Sequence, residues 1–101
     1  MAQENVSFRQ RESVDVREPR KYNVIFHNDD FTTMDFVIKV LREVFFKPEM
    51  EAISIMMDVH KKGKGVIGSY SYDMALTKKN RAISMAREEG FPLNITIEPI
   101  G

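Results

Sequence analysis

The pattern of hydrophobic and polar positions predicts three strands. Residues 22–27 form a short β-branched and aromatic run that ends at a polar cluster, as a strand followed by a loop does. Residues 66–72 and 93–98 alternate between apolar and polar positions, which is typical of strands with one buried face.

Three helices are predicted between these strands. Apolar residues recur at helical spacing over residues 34–46, and Thr32 or Thr33 offers an N-cap. A second helix starts near Pro48 and ends before Gly63, with acidic residues in its first turn and basic residues in its last. Asp73 is expected to cap a third helix that ends at Gly90.

The order β-α-α-β-α-β predicts an α+β fold. Three helices on one face of a three-stranded antiparallel sheet make a two-layer sandwich, and we assign this core domain to residues 21–101. Residues 1–20 mix four arginines with four acidic residues and have no sustained apolar period. Such a segment buries too little apolar surface to offset its ordering entropy, so we expect a disordered N-terminal extension.

Composition narrows the function. The 101 residues carry 15 basic and 15 acidic side chains and no cysteine, which excludes disulfides, thiolate metal sites and thiol nucleophiles. A net charge of zero argues against nucleic acid and anionic membranes as partners. We find no signal peptide or membrane span in the sequence and expect a cytoplasmic protein.

Two polar features are candidates for chemistry. Asn28, Asp29 and Asp30 lie between the first strand and the first helix, where carboxylate and amide oxygens suit either a hard cation or an ammonium group, or simply make a turn. His60 falls one helical turn after Met56, a spacing equally typical of a core or interface residue. Adding His27 to Asp29 and His60 gives an imaginable zinc site, but the spacing matches no known signature.

Three separated motifs resemble one family. Residues 28–37, Asn-Asp-Asp-Phe-Thr-Thr-Met-Asp-Phe-Val, resemble the N-D-D-[YF]-T-x-M-[ED]-F-V signature of the ClpS family. These bacterial adaptors deliver N-degron substrates to a AAA+ unfoldase of the Clp protease. Residues 56–60 resemble that family's M-x-x-V-H helix, and residues 75–78 with Pro92 and Leu93 make the third match. The resemblance covers essentially residues 21–101.

The resemblance implies a binding protein that is not an enzyme and has no cofactor or metal. Its ligand is the first residue of a polypeptide when that residue is Phe, Tyr, Trp or Leu. Asn28, Asp29 and His60 match the amine-binding positions, and Met34 matches a gate that clashes with β-branched first residues. The pocket for the first side chain is expected to be made by Asp30, Thr32, Met34, Val37, Met56 and Leu93.

The resemblance also implies protein partners. These are N-degron polypeptides and a Clp AAA+ unfoldase of the ClpA or ClpC type with the ClpP peptidase. Asp73 and Lys78 correspond to the docking face, and residues 1–20 to the extension that engages the unfoldase during delivery. The chain departs from the pattern at Thr33, where proline is frequent, and at Leu76, where an acidic residue is frequent.

Two other classes of function stay open on the sequence. A small metal-dependent hydrolase would use Asp29, Asp30 and His60, and would be stabilised by metal. A nonspecific partner-binding α+β domain, similar in layout to the C-terminal domain of a ribosomal stalk protein, would need no amine site.

Overall fold

The computed structural model describes residues 20–100. Its strands are β1 (Tyr22–His27), β2 (Lys64–Tyr70) and β3 (Asn94–Pro99), and its helices are α1 (Met34–Glu43), α2 (Glu49–Lys62) and α3 (Tyr72–Glu88). They follow one another as β1-α1-α2-β2-α3-β3, which confirms the predicted order and the α+β class. Apart from Arg20, the predicted extension of residues 1–20 lies outside the described residues, so the domain boundary stays a prediction.

β1 is the central strand of the sheet. The strand order is β2-β1-β3, and β1 pairs antiparallel with both neighbours. Its register with β2 shifts between Val24 and Ile25, where one strand carries an extra residue. Val24 and Phe26, two positions apart on one face, are completely buried. Because β1 is paired on both edges, the position of its last residue is fixed. The loop that follows this residue forms part of the candidate site.

One continuous core joins the sheet to the helices. The rings of Phe26 on β1 and Phe45, just after α1, meet edge-on with centroids 5.6 Å apart. The residues of α3 that are fully buried are alanines, which lets this helix lie close to the sheet. The largest fully buried side chains are Phe26, Leu41, Leu93, Ile95, Val24, Val40 and Val44.

Two predicted helix ends are wrong. α1 ends at Glu43 rather than near residue 46, and Phe46 takes a positive φ of 54°, in the left-handed region that terminates helices. The N-cap of α3 is Ser71, whose hydroxyl accepts from the Met74 N–H, whereas Asp73 lies in the first turn. Both Ser71 and Asp73 are good capping residues, and the sequence does not distinguish between them.

The other helix ends agree with the sequence to within two residues, the largest difference being at α3, which ends at Glu88 rather than at Gly90. Thr33 caps α1 by accepting from the Phe36 N–H at 3.1 Å. Pro48 precedes α2, which ends at Gly63 with a φ of 89° that favours glycine. Within residues 20–100, no helix is long and apolar enough to cross a membrane.

Candidate functional site

The candidate site begins at the loop between β1 and α1, which is organised by Asp29. One carboxylate oxygen, Oδ1, accepts the backbone N–H groups of Phe31 and Thr32 at 2.8 and 2.7 Å. The other oxygen, Oδ2, accepts the Thr32 hydroxyl at 2.7 Å. Asparagine and aspartate favour such turns because their short side chains reach backbone donors two or three residues ahead.

A second contact brings the end of α2 against this loop. The Asn28 N–H donates to the Gly63 carbonyl at 2.9 Å. Gly63 is the C-cap of α2, and His60 lies three residues before it, in the last turn. This backbone contact therefore holds the polar loop next to the last turn of α2, which carries the exposed His60 side chain.

Apolar side chains from α1 and α2 form the wall of the site. Val37, Met56 and Val59 are 6%, 7% and 4% exposed, while Met34, the first residue of α1, is 42% exposed. The buried part of the wall is therefore apolar, and the Met34 thioether at the mouth is more accessible to solvent.

These groups enclose a cavity of about 390 Å³. Its volume is in the range of small-molecule sites. Eight of the nine predicted substrate-binding residues line it, together with three residues that were not predicted to bind substrate. The lining residues are Asn28, Asp29, Asp30, Phe31, Thr32, Thr33, Met34, Val37, Met56, Val59 and His60.

The Asp29 carboxylate is held in its ionised form. Burial acts to raise its pKa, but the hydrogen bonds from the Thr32 hydroxyl, the Thr32 N–H and the Phe31 N–H outweigh burial, and the nearby Arg87 charge adds to them. The pKa of Asp29 is consequently below its ordinary value of 3.8. The cavity therefore presents a negative charge beside an apolar wall, which suits a ligand with a cationic group next to an apolar one.

Comparisons with known proteins identify the family of this chain. The family model described as "ATP-dependent Clp protease adaptor protein ClpS" matches residues 17–96. The chain belongs to the ClpS family. It is 49% identical over 85 residues to the "ATP-dependent Clp protease adapter protein ClpS" of Syntrophus aciditrophicus, covering 84% of this chain and 79% of that protein. It is 51% identical over 87 residues to the ClpS of Acetivibrio thermocellus, covering 86% and 88% of the two chains.

A solved ClpS structure shares the fold. Agrobacterium tumefaciens ClpS2, solved bound to L-phenylalaninamide, is 38% identical and superposes with a TM-score of 0.79. The match covers 82% of this chain and all of that one. The family of this chain is thus one of Clp protease adaptors, and adaptors are not enzymes, as the resemblance implied.

Leu93, the ninth predicted substrate-binding residue, does not line the cavity of this ClpS chain. It is 1% exposed and belongs to the core, just before β3. Its carbonyl accepts from Arg87 Nη2 at 3.4 Å, and Arg87 Nη1 also donates to the Phe91 carbonyl. Because the Phe91 ring packs edge-on against Phe36, this segment is also in contact with α1.

The predicted partner-binding residues have different surroundings. Asp73 is exposed in the first turn of α3. Lys78 is half-buried, donates from Nζ to the Val44 carbonyl at 2.9 Å and lies over the Phe46 ring at 4.8 Å. Five helical positions turn the chain by about 140°, so Asp73 and Lys78 do not point to the same side of α3.

His27 lies away from the other members of the imagined zinc site. Its Nε2 is 2.7 Å from the Thr96 hydroxyl on β3, and it does not line the cavity that holds Asp29 and His60. Among residues 20–100, no group of three or more histidine, cysteine or carboxylate side chains could hold a metal ion.

Sequence reasoning missed Phe31, Thr33, Val59 and Arg87. Phe31 and Thr33 alternate with predicted residues in the same loop, and Val59 lies one helical turn after Met56. These three residues could therefore have been predicted from their positions in the sequence. Arg87 could not have been predicted in this way, because it lies in the last turn of α3, far along the chain from the Asp29 whose pKa its charge lowers. A larger open depression of about 700 Å³ runs along α1 and is lined mainly by charged side chains of both signs, but it contains none of the predicted residues.

Proposed function

We propose that this chain binds the first residue of N-degron polypeptides, recognising the free α-amino group and a large hydrophobic first side chain. The observation that carries the proposal is the cavity itself, in which an ionised carboxylate, an amide and an imidazole adjoin an apolar wall. The relative bound to L-phenylalaninamide supports it, because that ligand combines an α-amino group with a benzyl side chain.

The polar rim is suited to the amine. An α-ammonium group donates three hydrogens and therefore needs several acceptors converging on one point. Asn28, Asp29 and His60 each offer an acceptor atom at this rim, an amide oxygen, a carboxylate oxygen and an imidazole nitrogen. A hydrogen bond that involves a charged group contributes about 1.5–3 kcal/mol.

The apolar wall is suited to the first side chain. Asp30, Thr32, Met34, Val37 and Met56 line the volume into which a Phe, Tyr, Trp or Leu side chain would enter. Burying such a side chain contributes about 1.5–3 kcal/mol. After association costs, we expect an affinity in the micromolar range, about −8 kcal/mol, which lets an adaptor release its cargo.

Delivery is the second part of the proposal. The chain acts in the cytoplasm and transfers the bound polypeptide to a Clp AAA+ unfoldase of the ClpA or ClpC type, working with the ClpP peptidase. Exposed Asp73 is available for docking, whereas half-buried Lys78 would contribute mainly by presenting the neighbouring aromatic surface. We assign to residues 1–20 the role of engaging the unfoldase while the polypeptide is transferred to it.

One titration tests amine recognition. A fluorescent peptide with a free N-terminal Phe is compared with its acetylated twin by anisotropy, using the whole chain. We expect micromolar binding of the free peptide and at least about a tenfold loss on acetylation, since a charge-assisted bond is removed.

A matched pair of variants locates the site. Asn28→Ala should lower the affinity for the peptide with a free N-terminus by roughly tenfold, because one acceptor at the rim is lost. Asn80→Ala, the same change at an exposed position on α3, should leave binding unchanged. Equal binding of the free and acetylated peptides would refute the proposed function.

A further inference from the structure

Two methionines line the cavity, and they differ in access to solvent. Met34 is 42% exposed at the mouth, whereas Met56 is 7% exposed in the wall. Susceptibility of a thioether to oxidation follows its exposure, so a small oxidant in solution reaches Met34 far more readily than Met56. Met50 and Met74 are also exposed, at 79% and 49%, but neither lines this cavity.

We propose that Met34 is a reversible oxidation site through which hydroperoxides lower the affinity of the cavity for apolar first residues. The inference rests on the proposed function of the same cavity. In the reaction, a lone pair of the Met34 sulfur attacks the hydroxyl oxygen of a hydroperoxide, the O–O bond breaks, the hydroxyl proton passes to the leaving oxygen, and a sulfoxide forms. The sulfur loses two electrons, the peroxide is reduced, and the leaving oxygen departs as an alcohol or, from hydrogen peroxide, as water. Methionine sulfoxide reductases reverse the change at the expense of thiols.

The consequence for binding follows from the polarity of the product. A sulfoxide oxygen is a strong acceptor, and water solvates it while the mouth is open. When an apolar side chain enters, that oxygen exchanges part of its water for apolar contacts, which is unfavourable. The Asp29 carboxylate nearby is itself an acceptor in its ionised form and offers the oxygen no hydrogen bond.

The same geometry spares the fold. Met34 is not a member of the buried core cluster, whereas Val37 and Met56 are. As the first residue of α1, Met34 follows the Thr33 N-cap, whose hydrogen bond to the Phe36 N–H does not involve the Met34 side chain. Oxidation should therefore change the ligand affinity and leave the thermal unfolding of the domain nearly unaltered.

The test compares binding before and after treatment with hydrogen peroxide. The whole chain is oxidised under native conditions, and peptide mapping by mass spectrometry reports the sulfoxide at each methionine. Anisotropy with a Phe-initiated peptide then gives the affinity. We expect a sulfoxide at Met34 but little at Met56, at least about a fivefold loss of affinity, and recovery after sulfoxide reductase treatment.

Two variants separate Met34 from Met50 and Met74, the other exposed methionines among residues 20–100. Met34→Leu removes the sulfur. The affinity of this variant for the Phe-initiated peptide should therefore be the same before and after peroxide treatment, whatever its starting value. In the double variant Met50→Leu/Met74→Leu, peroxide should lower the peptide affinity as much as it does in the wild type. Oxidation of Met50 and Met74 without Met34, or an unchanged affinity with Met34 fully oxidised, would overturn the inference. Failure of the untreated protein to bind the peptide would instead overturn the proposed function.

Discussion

The Thr32 hydroxyl gives a direct measure of how much Asp29 stabilises the loop that builds the cavity. Thr32→Val keeps the β-branched shape and the backbone N–H but deletes the hydroxyl that donates to Asp29 Oδ2 at 2.7 Å. The two bonds to Oδ1 remain, so the variant removes one hydrogen bond from three.

The magnitude follows from the charge and the burial of this bond. A hydrogen bond to a charged group contributes about 1.5–3 kcal/mol, but water partly replaces the donor at a half-exposed site. We therefore expect Thr32→Val to lower the free energy of unfolding by about 1 kcal/mol at neutral pH. In a domain of this size, that corresponds to a fall in Tm of about 4–8 °C.

The effect should depend on pH with a defined sign. The pKa of Asp29 is depressed in the folded state, so the stability it contributes is present above its unfolded value of about 3.8 and is lost as the pH falls through the folded pKa. Deleting the Thr32 hydroxyl removes a bond that favours the ionised form, which raises the pKa of Asp29 toward its ordinary value. The difference between wild type and Thr32→Val should consequently shrink below about pH 3.8.

Urea denaturation followed by circular dichroism measures these differences. Thr32→Ser, which keeps the hydroxyl, should be more stable than Thr32→Val, and Thr77→Val, the same change at an exposed position on α3, should stay within about 0.5 kcal/mol of wild type. In an Asp29→Ala background, Thr32→Val should have almost no further effect. Equal stability of the Val and Ser variants at position 32, or a full effect that persists in the Asp29→Ala background, would refute the reasoning.

Three further predictions concern residues that the sequence assigned to binding. Lys78→Met should lower the free energy of unfolding, measured in urea, by about 1–2 kcal/mol, because the Val44 carbonyl loses its donor and the aromatic rings lose a cation. An unchanged free energy of unfolding would contradict a stabilising role for these contacts. Leu93→Ala should cost about 2–4 kcal/mol of stability yet leave the Phe-peptide affinity of the folded protein unchanged, whereas weaker binding would place Leu93 in the pocket. Met34→Ala should admit peptides that begin with Ile or Val, and their continued rejection in anisotropy would contradict the gate.

Eight of the nine residues predicted to bind substrate line the cavity, and most of them are close together in the sequence. Asn28 to Met34 are contiguous, and Met56 and His60 share one side of a helix, so each group is held together locally, whereas the assignment of both groups to a pocket came from the family resemblance. Bringing the two groups together requires the bond between Asn28 and Gly63, which joins a strand end to a helix end. That pairing is not encoded by spacing, and it came from the family resemblance.

The exceptions are residues whose role depends on distant contacts. Leu93 resembles a pocket residue in its motif, yet the turn before β3 directs it into the core. Lys78 looks like a solvated helix residue, yet its ammonium reaches the Val44 carbonyl, 34 positions away along the chain. Long side chains of this kind can bury their stems and bind a remote backbone group, and no local pattern reports it.

The bonds within the loop also bear on how the proposed amine contacts must be divided. An ionised carboxylate offers about four lone-pair sites, and the loop already uses three of those on Asp29. Asp29 can therefore accept only about one of the three ammonium hydrogens without giving up a bond that shapes the cavity. Asn28 and His60 must supply the remaining acceptors, because they are the other predicted amine-binding groups at the rim. Loss of either should then weaken binding even though the negative charge of Asp29 is retained.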